Sequence, residues 1–514
     1  MKQQPFKYDK EQFVHFGILT VVVLLICLSQ PFLRYPYDMY YHLITIDQLQ
    51  DSIHIPNGRL IWHYIWAKIF NLLSILPNEI FLRAKIIHVV QTLISFFTLF
   101  YFSKVAIRNI FKTIDKNRLF YLSLWSTLTW FVIFATFSVK YHMVWILWYS
   151  VNYQITLPLF WYILALSLQL FWEHPSHKKK FFYVIQIIIL SRFILQAHSM
   201  EYMYYLMHLF VFMFFYIKEI IVFFKRYFYI VIPSIIAIVY MIKKYQPDHS
   251  KFFNYLSLDK LPKLIALIKF DGSHLVGGFN RAGAMFNELM VTILVMIVVC
   301  GIFLFFQRDK CSKILELKKS FYFVATAMFI FIPLNIYSAG IFSVITHVFV
   351  VNRLFYSSSI FLFLPVMVYA FLTLKNKASI QYINITILGI LLSVLIFSKY
   401  DHSHNFYNNV KSIYNSVFTT KYNFHLNDQQ IKKIGDIIQK IESKQYQKPI
   451  RYYARADIVF VIKYIYRKPV FYYKRRANPD YIQKYEEAKH QKDLPFTPIL
   501  IEIPKGFPPL NMYY

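Results

Sequence analysis

The chain has 514 residues, of which 57% are hydrophobic and 16% are charged, compared with about 25% charged residues in an average soluble domain. Apolar runs of about 20 residues recur through its first four-fifths, which excludes a string of soluble domains and predicts a polytopic membrane protein. The formal net charge of +30 is attributed to basic cytoplasmic loops, so nucleic acid is not an expected partner.

About eleven segments are apolar and long enough to cross a membrane, and together they predict an all-α polytopic bundle. They are residues 13–33, 85–105, 119–138, 155–172, 181–197, 203–224, 227–242, 290–306, 321–335, 354–374 and 382–397. The first segment follows a short basic N-terminus and has no small-residue cleavage site, so we expect a retained helix.

The loops between alternate spans differ in charge. Those that should face the cytoplasm are rich in Lys or Arg and comprise residues 108–118, 173–180, 225–226, 307–319 and 375–377. The opposite short loops, around 139–143, 198–201 and 337–347, carry almost no charge. By the positive-inside rule the N-terminus is cytoplasmic. Heavy use of Phe, Tyr, Ile and Lys indicates an AT-rich genome, which favours a bacterium. We therefore expect the inner membrane, with the C-terminal region in the periplasm.

Three longer regions then lie outside: a first outer loop (34–83), a second (243–287) and a C-terminal domain (400–514) that follows a transmembrane module (1–399). Within the first loop, residues 59–76 repeat apolar residues at helical spacing, which predicts an interfacial amphipathic helix with Trp62 and Trp66 at headgroup depth.

The C-terminal domain has few long apolar runs. Residues 448–453, 458–466 and 498–503 are typical of short strands, and residues 428–444 are typical of a helix. We therefore expect a small α/β domain.

The first outer loop contains several groups that can carry chemistry. Asp38 stands beside His42 and ahead of Asp47 and Arg59. A carboxylate at the mouth of a helical bundle can act as a general base on an acceptor hydroxyl. The alternative is an aromatic belt with a few solvated polar groups.

Two further groups of polar residues interrupt the apolar pattern. Asn152, Tyr153 and Pro158 disturb the start of the fourth span, which indicates either a helix broken beside a cavity or an ordinary proline near a helix N-terminus. His198 and Glu201 lie in a turn between two spans, where an acidic group has either a partner or a purely local role.

The last group is Arg353, just before a late span. Arginine there can hold a phosphate bidentately or reach towards lipid headgroups. All four groups fall on the outer side by the predicted topology. A carboxylate, arginines and many aromatic rings together suit a sugar phosphate donor.

These residues resemble those of the GT-C superfamily of polytopic glycosyltransferases. Asp38 followed by Asn57-Gly58-Arg59 and an amphipathic helix is similar to the first outer loop of those enzymes. The segments Ser150–Pro158 and Ser199–Glu201 are similar to motifs of a bacterial GT-C-like family related to O-antigen glucosyltransferases. Asn352–Tyr356 is similar to an arginine-tyrosine motif that precedes a late helix.

The resemblance implies a glycosyltransferase that takes a sugar from a polyprenyl-phosphate donor and passes it to a glycan, lipid or protein acceptor. Asp38 would be the base, with Asp47 as its rival. Arg59, Arg353 and His42 would bind the donor phosphate, and the other candidates would line the cavity: Asn57, Asn152, Tyr153, His198, Glu201 and Tyr356.

Direct displacement by one base implies inversion at the anomeric carbon. A divalent ion, Mg²⁺ or Mn²⁺, is a possible aid to the leaving phosphate.

Two other functions stay open. A surface-polysaccharide polymerase or ligase would use lipid-linked chains and depend more on arginines. A transporter or lipid-linked glycan flippase would place ionisable residues near the bilayer midplane, where this chain has chiefly Arg192 and His208.

Overall fold

A computed structural model of the chain describes residues 10–29, 37–50, 53–54, 60–73, 80–136, 153–222, 225, 308–331, 357–375, 377–397, 426, 428–470, 480–491 and 493–502. This part is mostly α-helical, as predicted. Three of its helical stretches are long and apolar enough to cross a membrane: Leu82–Ile110, Ile155–Trp172 and His177–Ala197. The predicted spans at 227–242 and 290–306 and the second outer loop lie outside the described residues, and the number of spans stays a prediction.

Most of the described helices up to residue 397 coincide with predicted apolar segments, whereas α2 and α9 lie in predicted loops. They are α1 (Lys10–Ser29), α2 (Tyr37–Gln48), α3 (Ile61–Leu72), α4 (Ile80–Ile110), α5 (Lys116–Thr136), α6 (Tyr153–Trp172), α7 (His177–Ala197), α8 (Ser199–Phe215), α9 (Arg308–Ile314), α10 (Leu317–Ala327), α11 (Phe363–Leu374) and α12 (Ile380–Phe397). Short 3₁₀ turns at Met328–Phe331 and Ser359–Leu362 follow α10 and precede α11.

Helices α4 and α6 form the centre of the bundle, because more than half of the residues in their apolar stretches are buried. Leu157, Phe160 and Trp161 of α6 are buried together with Phe96 and Phe102 of α4. Helix α7 is equally apolar, but its side chains are largely exposed. An apolar helix with this pattern is suited to face lipid on one side.

One end of the bundle is built from the loops that were predicted to be cytoplasmic. The backbone N–H of Lys112 donates to the Ile314 carbonyl at 2.9 Å, and that of Glu316 donates to the Ile110 carbonyl at 2.8 Å. Arg108 pairs with Glu173 in the same region. Basic loops that are far apart in the chain therefore meet at one end, while the side of the membrane that this end faces stays a prediction.

Helical hydrogen bonding is interrupted beside the two 3₁₀ turns, and serine hydroxyls donate to backbone carbonyls there. Ser358 Oγ donates to the Ala327 carbonyl at 2.7 Å, and Ser359 Oγ donates to the Phe323 carbonyl at 2.9 Å. His208, which is fully buried on α8, donates from Nε2 to the Ser357 carbonyl at 2.7 Å. Backbone groups freed inside an apolar core need such partners.

The opposite end of the bundle carries α2, α3 and the start of α4, together with the C-terminal segments α13 (Asp428–Glu442), β1 (Ile450–Tyr453), α14 (Ala456–Tyr464), α15 (Asp480–Lys489) and β2 (Thr497–Leu500). Strands β1 and β2 are parallel, with Ile450 opposite Thr497. The helix predicted at 428–444 and the strands predicted at 448–453 and 498–503 are therefore confirmed.

The strand predicted at 458–466 is wrong, because the chain forms helix α14 there. All five residues from Ile458 to Ile462 are buried, so the helix is surrounded by protein. A short apolar run that is buried on every face has no polar side to reveal its period, and its β-branched residues then imitate a strand.

The predicted amphipathic helix is confirmed as α3, but its two tryptophans pack against protein, and their depth in the membrane stays a prediction. Trp62 and Trp66 are buried among protein side chains, and Trp62 Nε1 donates to Gln91 Oε1 of α4 at 2.7 Å. An indole N–H that finds a partner within the core has no need of the lipid headgroups. The apolar side chains that α3 leaves exposed are Ile65, Leu72 and its neighbour Leu73.

Gly435 on α13 allows a close approach of Tyr466, which supports the C-terminal segments. A Cβ on residue 435 would lie 2.6 Å from Tyr466 Cζ, and the Tyr466 hydroxyl donates to the Ile431 carbonyl at 2.8 Å.

We expect Gly435→Ala to lower the free energy of unfolding by about 1–3 kcal/mol through overpacking. In a Tyr466→Ala background the same change should be stabilising by about 1 kcal/mol, since only the helix propensity remains. Thermal unfolding of the four proteins tests this, and equal effects in both backgrounds contradict it.

Candidate functional site

The carboxylate of Asp47 on α2 joins three parts of the chain. Its Oδ1 accepts from Arg83 Nη1 of α4 at 3.4 Å, and its Oδ2 accepts from Tyr464 Oη of α14 at 3.2 Å. Lys463 Nζ, also of α14, forms a second ion pair with Oδ2. The Asp47 side chain is 8% exposed, so these donors replace most of the water that it would otherwise bind.

Arg83 is the most deeply buried member of this group, with no exposed side-chain surface. Its guanidinium lies 5.2 Å from the centre of the Phe70 ring. The Gln50 carboxamide also faces it, and when the amide oxygen is turned towards the guanidinium it accepts from Nη1 and Nη2 at 3.1 and 2.8 Å. A buried guanidinium needs acceptors of this kind because its desolvation is costly.

Tyr464 contributes a neutral donor to the Asp47 group. Burial, and next the Asp47 carboxylate, raise the pKa of Tyr464 well above its ordinary value. The hydroxyl therefore keeps its proton and donates to Asp47. One carboxylate thus receives two cations and one phenol.

Apolar contacts fix the same arrangement. Leu43 and Ile46 of α2, Trp62 of α3 and Ile458 and Val461 of α14 belong to one hydrophobic core. The C-terminal segments consequently share a core with α2 and α3.

The two aspartates that compete for the role of base lie on opposite sides of α2. Asp38 and Asp47 both fall within this helix and are nine positions apart in the sequence. Nine residues at about 100° each rotate roughly 900°, or two and a half turns. Position 38 is therefore about 180° from position 47, and the two cannot serve the same site.

His42, one turn after Asp38, is buried against α3. Its ring stacks on that of His63 with centroids 4.9 Å apart, and its Nδ1 lies 2.6 Å from His63 Nε2. In such a hydrogen bond one ring donates and the other accepts, so the two nitrogens share a single proton. The edge of the pair meets Trp62, whose ring centroid is 4.9 Å from that of His63.

His198 and Glu201 form a second polar group at this end. Glu201 is buried in the first turn of α8, where its Oε2 lies 2.5 Å from His198 Nδ1 and accepts from Thr156 Oγ1 at 3.1 Å. The side chain of His198 is 21% exposed, against 6% for Glu201. A carboxylate in this position orients the imidazole, which is the usual support of a general acid or base. Ala197, just before the pair, belongs to the hydrophobic core of α2 and α3.

Of the remaining predicted site residues, one lies within the described part of the chain. Tyr153 begins α6, while a larger set lies outside the described residues: Asn57, Arg59, Asn152, Arg353 and Tyr356. Among the described side chains, no three His, Cys, Asp or Glu residues come together as metal ligands. Use of Mg²⁺ or Mn²⁺ stays a prediction.

The sequence interpretation missed Arg83, Lys463 and Tyr464. Arg83 did carry a signal, because a charged residue at the start of an apolar span needs a partner. Lys463 and Tyr464 carried none, since they were assigned to a strand of a separate domain.

A comparison of the chain with protein-family models finds no match, and a comparison with curated proteins finds no significant match.

Asp47→Asn removes the anion of the buried pair and leaves Arg83 uncompensated beside Lys463. We expect this change to lower the free energy of unfolding by about 3–5 kcal/mol. Asp115→Asn is the matched control, because Asp115 pairs with Arg118 at an exposed position and should cost under about 1 kcal/mol. Thermal unfolding of the purified variants measures both losses. Similar losses would show that the buried Asp47 group contributes no more to stability than an exposed ion pair.

Proposed function

We propose that this chain is a membrane-embedded glycosyltransferase that moves a sugar from a polyprenyl-phosphate donor to a glycan, lipid or protein acceptor. The observation that supports this most is the way α2 is held. Asp47 binds Arg83 and α14 on one side of the helix, and position 38 lies on the other side. A carboxylate on a helix fixed in this way is suited to act as a base at the end of the bundle.

In the proposed reaction Asp38 takes the proton of the acceptor hydroxyl as that oxygen attacks the anomeric carbon. The bond from this carbon to the phosphate oxygen breaks, and polyprenyl phosphate leaves with both electrons of that bond. One displacement without a covalent sugar intermediate inverts the anomeric carbon. Arg59 and Arg353 are the proposed phosphate ligands.

The choice of Asp38 over Asp47 is supported by the partners of Asp47. Both oxygens of Asp47 accept hydrogen bonds, and Arg83 depends on it for charge compensation. A carboxylate with this structural role is a poor base, because taking a proton would remove the charge that Arg83 needs.

The geometry gives the alternatives less support. A transporter would use mid-span ionisable groups, but the buried His208 donates to the Ser357 carbonyl beside a helix break, which is a structural role. A polymerase would use arginines in its outer loops, and the described Arg83 is committed to Asp47.

The proposed site also requires a particular topology, with the C-terminal domain and the first loop on the outer face of a bacterial inner membrane. We expect alkaline phosphatase fused after Tyr514 to be active and green fluorescent protein fused there to be dark, since each folds on one side only. Fusions after Arg226 within a predicted basic loop should give the reverse. Fluorescence at Tyr514 would contradict this topology.

Asp38→Asn should abolish sugar transfer without affecting the fold. Loss of a general base lowers the rate by about 10²–10⁴-fold. Mass spectrometry of surface glycans from a deletion strain, rescued with wild type, Asp38→Asn or the control Asp115→Asn at an exposed position, measures this. We expect one sugar mass to return with wild type and with the control only, at equal protein levels. Full rescue by Asp38→Asn would remove Asp38 from the chemistry.

A further inference from the structure

The C-terminal domain contacts helix α2 through the ion pair between Lys463 and Asp47. Lys463 is the exposed member of this otherwise buried group. Lys463 keeps 23% of its side-chain surface exposed, whereas Asp47 and Arg83 keep 8% and none. Removal of Lys463 would leave Asp47 and Arg83 as a balanced pair. Loss of this lysine should therefore weaken the contact between α2 and α14, which Tyr464 and the shared core still maintain, without leaving a buried charge uncompensated.

The effect of this contact depends on which side of α2 the C-terminal domain touches. Asp47 lies about 180° around α2 from position 38, and Leu43, which is near Asp47 on the helix surface, is fully buried in the core shared with α14. The C-terminal domain thus contacts the side of α2 opposite to position 38, which we call its rear. A contact at the rear fixes the rotation of the helix about its own axis.

We propose that Lys463 is a positioning residue: it couples the C-terminal domain to α2 through Asp47 and sets the orientation of Asp38 in the proposed transfer reaction. This inference rests on the proposed glycosyltransferase function. Misplacement of a catalytic group by about 1 Å can lower a rate on the order of 100-fold. The donor would still bind, because the proposed phosphate ligands Arg59 and Arg353 belong to other segments, and the third candidate, His42 of α2, is buried against His63.

The test compares Lys463→Met with Lys463→Arg and with the control Lys468→Met. Lys468 forms an ion pair with Glu442 at 2.7 Å within the C-terminal segments and keeps 35% of its side-chain surface exposed, so Lys468→Met removes a paired lysine that does not contact α2. The full-length protein in membrane vesicles is assayed for hydrogen exchange of the α2 amides. Initial rates of transfer to endogenous acceptor are measured over a range of added polyprenyl-phosphate glucose.

We expect Lys463→Met to increase exchange in α2 and to lower kcat about 10–100-fold with little change in KM. Lys463→Arg should restore both, and Lys468→Met should alter neither. Unchanged α2 exchange in Lys463→Met would overturn the inference, and so would increased exchange with an unchanged kcat.

The two proposals fail in different ways. If wild type transfers no sugar from several polyprenyl-phosphate donors while Lys463→Met still loosens α2, the glycosyltransferase proposal is overturned and the mechanical coupling is supported. If wild type transfers sugar and Lys463→Met behaves as Lys468→Met does, the function stands and the positioning role is overturned.

Discussion

A guanidinium without exposed surface constrains the whole end of the molecule where the candidate site lies. Arg83 stands near the start of α4, and its burial is tolerable only if a carboxylate and further acceptors surround it. Asp47 supplies the charge, which fixes α2 against α4. The same carboxylate also accepts from α14, so the C-terminal segments are drawn onto the first loop. Helices α2, α4 and α14 are thereby held together by one anion.

Much of the described bundle was predictable because its physics is local. An apolar run of about 20 residues and its basic flanks are visible within a short window, and helices α4, α6 and α7 accordingly begin and end near their predicted positions. The amphipathic period of α3 was equally visible. The surface against which this apolar side packs was not visible, because Trp62 binds Gln91 on another helix.

The contacts that define the candidate site are long-range, which is why the sequence did not reveal them. No local pattern distinguishes Asp47, which binds α14, from Asp38 on the other side of the same helix. The nature of α14 was hidden for a related reason, since its complete burial erases the polar face that marks a helix. The pairing of His198 with Glu201 was easier to predict, because the two residues are only three positions apart, at the start of a helix.

The ion pair between Asp47 and Lys463 also imposes an order on biosynthesis. The two residues are 416 positions apart, and at about 5–20 residues per second a ribosome needs roughly 20–80 s to supply the second after the first. During this interval α2 can pair with α4, but the core that it shares with α14 is incomplete. This end of the molecule is therefore assembled last, although it contains some of the first residues to be translated.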